Sequence, residues 1–93
     1  MQFSGPINEI VARHLEEAGR REHDARVATL AVTAARGAIR RTTVAENDEE
    51  YLASVLASLE KLERIYDDPE GEYTSGKPEI SAIIEEIRTL KTG

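Results

Sequence analysis

Gly19-Arg20-Arg21-Glu22-His23-Asp24-Ala25-Arg26 decides the fold, because it lies between two apolar stripes and adds almost nothing to either. Only Ala25 in it carries an apolar side chain, and Gly19 is less favourable than alanine in a helix interior by about 1 kcal/mol. Four Glu-to-Arg pairs at i,i+4 argue the other way: Glu9 with Arg13, Glu16 with Arg20, Glu17 with Arg21 and Glu22 with Arg26. At about 0.2–0.5 kcal/mol each they sum to about 1–2 kcal/mol, and two of them straddle Gly19. The larger sum predicts a helix that runs through.

Upstream, Ser4-Gly5-Pro6 opens that helix, with a capping hydroxyl and a proline whose missing N–H is harmless in the first turn. From there Val11, Ala18, Ala25, Val32 and Ile39 recur every seven residues, and Ile7, Ala28 and Ala35 fill alternate positions. The pattern predicts one helix from about residue 6 to 42. Downstream, Asn47 followed by Asp48-Glu49-Glu50 supplies a cap and first-turn acids, so a second helix is expected over about 48–66. Its stripe is Leu52, Val55, Leu59, Leu62 and Tyr66. The polar run 67–77 holds one proline and two glycines and reads as an acidic loop. Pro78 then opens a third helix, about 78–91, whose inner positions are Ile80, Ile83 or Ile84, Ile87 and Leu90.

These elements make a single all-α domain, residues 1–93, with no convincing strand. A first helix of that length would measure about 55 Å, whereas a globule of this size is about 30–35 Å across. The second helix folding back as a hairpin covers only part of it. The expectation is therefore a homodimeric helical bundle whose seam contains Ile7, Val11, Ala18, Ala25, Val32, Ile39, Leu52, Val55, Leu59, Leu62, Tyr66, Ile80, Ile84 and Ile87.

Composition bounds the chemistry. The chain has 93 residues, 12 Lys+Arg against 18 Asp+Glu, a net charge of -6, no Cys and no Trp. Without cysteine there is no disulfide framework and no thiol chemistry, which points to a cytoplasmic protein held by packing. The acidic balance disfavours nucleic acid and anionic membranes as general partners. No apolar run reaches membrane-spanning length, and MQFSGPINEI lacks the basic and apolar segments of a secretory signal.

Few constellations suggest a site. His14 and His23, nine residues apart, fall on opposite sides of one helix and cannot share a metal within it. His14 sits at a seam position near Glu17, where a packed or solvated ring is the simpler reading. Arg36, Arg40 and Arg41 close the first helix and are the anion-binding candidates, for a phosphate, a carboxylate or a nucleic-acid backbone. The simpler reading is that they complement the helix dipole and pair with acids of the second helix. The acidic loop lacks the ligand spacing of an EF-hand, and Ser75-Gly76-Lys77 lacks the upstream glycine of a phosphate-binding loop. No cofactor and no metal is expected.

The order of a long, a middle and a shorter final helix resembles the small all-helical chorismate mutases. That resemblance implies a dimeric enzyme in which Arg13, Arg20 or Arg21 clamps a dicarboxylate and Asp48 opens the middle helix. Leu52 stands where that family has a further carboxylate, and the final helix has no glutamine. In size and acidity the chain also resembles the small secreted hairpins built on a Trp-x-Gly turn, without their tryptophan. The residues themselves favour a regulator, adaptor or inhibitor that binds another protein. Its expected surface is the outer face of the second and third predicted helices with the acidic loop, suited to a basic partner.

Overall fold

The computed structural model describes residues 4–22, 25–42, 47–67, 70–71 and 76–90. They form four helices: α1 (Ser4–Gly19), α2 (Ala25–Arg41), α3 (Asp48–Tyr66) and α4 (Lys77–Thr89), with no strand among the described residues. The rod expected over 6–42 is therefore broken. α1 ends at Gly19, where Arg20 N–H bonds the Glu17 carbonyl and Arg21 N–H that of Ala18, and the chain turns so that α2 packs on α1. His23 and Asp24 lie outside the described residues.

Magnitudes explain the break. Folding back lets Ile7, Val11 and Ala18 share one buried core with Ala28, Val32 and Ile39. A fully buried Ile or Val side chain is worth about 1.5–3 kcal/mol, so two or three of them outweigh every ion pair along the rod. Nor do those pairs all need continuity. Arg20 still reaches Glu16 at 2.5 Å, while Arg21 takes Glu79 at 2.6 Å and Arg13 takes Glu86. The Glu17–Arg21 and Glu9–Arg13 pairs expected from spacing thus give way to partners on α4.

The molecule measures 39 × 25 × 21 Å with a radius of gyration of 13.0 Å, and a 55 Å rod has no place in it. The geometric ground for a dimer goes with the rod, because the expected seam closes inside one chain. Ile7, Val11, Ala18, Val32, Ile39, Leu52, Val55, Leu59, Ile80, Ile84 and Ile87 are buried, and Ala25, Leu62 and Tyr66 are half-buried. α2 touches α1, α3 and α4, and its alanines Ala28, Ala31, Ala35 and Ala38 keep it narrow enough to do so.

The second expected helix is α3. Asn47 caps it in extended conformation, its side-chain oxygen accepting from Glu50 N–H at 2.8 Å. α4 begins at Lys77, with Pro78 in its first turn and Glu79 facing the dipole. The connection 43–46 and most of the acidic loop, residues 68–69 and 72–75, lie outside the described residues. Of that loop, Asp67 bonds Lys77 at 3.0 Å.

Candidate functional site

Two places in this fold gather polar side chains. The first is a charged seam between α1 and α4. His14 is 7% exposed; its Nε2 bonds Glu86, and its Nδ1 lies 3.9 Å from Glu79. Arg13 adds a second contact to Glu86, and Arg21 one to Glu79. Rising numbers on α1 meet falling numbers on α4, so these helices run in opposite directions. Part of the signal was present in the sequence: Glu79 and Glu86 are seven apart, which places both on one face of α4, while Arg21 reaches Glu79 from just beyond the end of α1. Nothing local said that the two faces meet. α4 is tied to α3 in the same way, through Ser81 to Glu63 at 2.5 Å and Arg88 to Glu60 at 2.9 Å. Glu60, chiefly by its hydrogen bond, and Glu85 hold the Arg88 guanidinium above its ordinary pKa.

This seam engages its charges internally. No buried side-chain polar atom lacks a partner, and no three His, Cys, Asp or Glu side chains are grouped to hold a metal, both among the described residues. Arg13, Arg20 and Arg21, the clamps that the chorismate mutase resemblance implies, each pair with a glutamate. Asp48 lies at the start of α3.

The second place is the surface of α2, which carries Arg26, Arg36, Arg40 and Arg41 and no acid. The structure does not keep the three expected anion binders together. Arg36 and Arg40, one turn apart, line an open groove between α1 and α2 over Val11, Leu15 and Ile39, with Tyr51 of α3 at its side. Arg41 points to the opposite side, into a trough between α2 and α3. There it lies over Gly37, whose missing Cβ would sit 3.3 Å from its guanidinium. None of the three has an ion-pair partner among the described residues.

The trough also holds the two exposed large apolar residues among the described ones. Leu30 is 43% and Ile65 65% exposed, beside half-buried Ala34, Leu62 and Tyr66. Lys61 joins Arg41 along it, and no acid lines it among the described residues. Sequence reasoning missed this face: Leu30 lies off the heptad of α2, and Ile65 lies outside the stripe of α3.

The described residues thus form an all-α fold of four helices with an internally paired charged seam and, among those residues, a basic helix without ion-pair partners. Compared with known protein families, characterised proteins and solved structures, it matches none. Among the described residues no helix is long and apolar enough to cross a membrane.

Proposed function

We propose that this protein is a small helical interaction module that receives an acidic amphipathic helix of a partner protein in the trough between α2 and α3. The observation that carries the reading is Leu30 and Ile65 standing exposed beside Arg41 and Lys61, in a chain of net charge -6. A contiguous exposed apolar surface rimmed by polar residues marks a recognition site, and Leu30, Ala34, Leu62, Ile65 and Tyr66 together line this trough. Two neighbouring helices offer a shallow channel that an apolar helix face fills at i, i+3, i+4 and i+7 spacing. The cations select a partner with acids flanking that stripe. The polarity is the reverse of the one that the acidic loop suggests.

The expected role remains that of an adaptor, regulator or inhibitor, and the partner's charge sign is the new content. Partner capture from the native host with the wild type and with Ile65→Glu and Arg41→Glu/Lys61→Glu variants tests it. The expected result is a protein with an acidic amphipathic segment that is retained by the wild type and lost by both variants. Loss of at least tenfold in affinity for that segment corresponds to about 1.4 kcal/mol. A partner that is basic, or that binds both variants undiminished, would overturn the reading.

A further inference from the structure

The groove on the other side of α2 has a different shape and a different charge pattern, and the interaction reading does not use it. Its volume is about 740 Å³, within the range of small-molecule sites, about 300–1,000 Å³. Its floor is apolar: Val11 and Ile39 are buried and Leu15 half-buried. One rim carries Arg36 and Arg40, whose side chains leave the same helix face four residues apart. Glu16 also borders the groove, but its carboxylate is held by Arg20 at 2.5 Å. The Thr42 hydroxyl is turned to the Ala38 carbonyl at 3.1 Å. The two guanidiniums are therefore the groove's unpaired charge among the described residues.

The α1 wall runs from Asn8 to Glu16, nine residues or about 12 Å of helix. That is too short to seat the three or four turns of an amphipathic helix, and long enough for a short aliphatic chain. We infer that this groove binds a small amphiphilic anion, a carboxylate head on a short aliphatic body. The head lies between Arg36 and Arg40 and the tail lies over Val11, Leu15 and Ile39. Guanidinium pairs suit a carboxylate because each presents N–H donors in a planar fork matching its two oxygens.

Calorimetry with octanoate, kept below its micellar concentration, tests the inference on the full chain. Acetate supplies the head without the tail and octanol the tail without the charge. The expected result is saturable one-to-one binding of octanoate, no heat from acetate, and at least tenfold weaker binding of octanol. Arg36→Gln/Arg40→Gln should weaken octanoate at least tenfold and leave octanol unchanged. Both arginines are exposed, so the double variant should unfold at the wild-type temperature. Arg41→Gln, across the helix, should bind octanoate as the wild type does. No saturable heat from octanoate, equal binding of octanol, or equal weakening by Arg41→Gln would each overturn the inference. Because Arg41→Gln and Ile65→Glu act on the trough alone, failure here is separable from failure of the interaction reading.

Discussion

A single methyl group tests how α4 is seated. Gly76 is buried at the N-terminus of α4, and a Cβ there would lie 2.9 Å from the Ala31 Cβ and 3.3 Å from both Val27 Cγ1 and the Val27 carbonyl. The neighbours are backbone and short side chains, which have little room to move. Gly76→Ala should destabilise by about 1–3 kcal/mol through overpacking, lowering Tm by at least about 4 °C. Gly19 is the contrast: nothing lies within 4 Å of its missing Cβ, so Gly19→Ala should raise stability by up to about 1 kcal/mol. Thermal unfolding of the two variants decides it, and a fall for Gly19→Ala would mean that its site is tighter than the structure has it. His14 gives a second case. Its ring is buried between Glu79 and Glu86, so His14→Ala and Glu86→Ala should not be additive. A double-mutant cycle should return a coupling of about 0.5–3 kcal/mol. A coupling of zero would reduce the seam to an incidental contact.

At the scale of elements, what the sequence revealed and what it hid separate cleanly by range. The start of α3 was legible because a cap is local: Asn47, the acids after it and the 3,4 stripe specify it within one turn, and the bond from Glu50 N–H is in place. The burial of most heptad positions was legible for the same reason. The break after Gly19 was not, since helix propensity and i,i+4 pairs are sums over neighbours. The energy that turns the chain comes from Ile7 and Val11 sharing a core with a helix that begins only after the break, 14 or more residues further on. The site was hidden for a related reason. Which face of α2 stays open depends on where α1, α3 and α4 land on it, and only then do Arg36 and Arg40 part from Arg41. The break makes a prediction that a rod does not. Arg20 and Arg21 are exposed and outside any helix, whereas Arg13 is inside α1. Brief trypsin digestion, read by mass spectrometry, should cut after Arg20 or Arg21 well before Arg13. Equal rates would restore the continuous helix.

Taken whole, the molecule is polarised. α2 carries four arginines and no acid, +4, so the remaining chain holds -10 of the total of -6. Its apolar seam is already closed by its own helices, and the large apolar residues left exposed among the described ones lie next to cations, Leu30 by Arg41 and Ile65 by Arg41 and Lys61. A two-fold dimer through that trough would set each copy's cations against the other's, and like charges at an interface oppose association. The chain alone should therefore sediment as a monomer of 10.3 kDa at tens of micromolar in physiological salt. At that ionic strength, charges beyond about 8 Å are screened and those in contact are not, so the repulsion across the trough persists. A doubled mass abolished by Ile65→Glu would put a second copy on this face. In that event the occupant of the trough would be the chain itself, and the trough's cations would have to meet acids on another part of it.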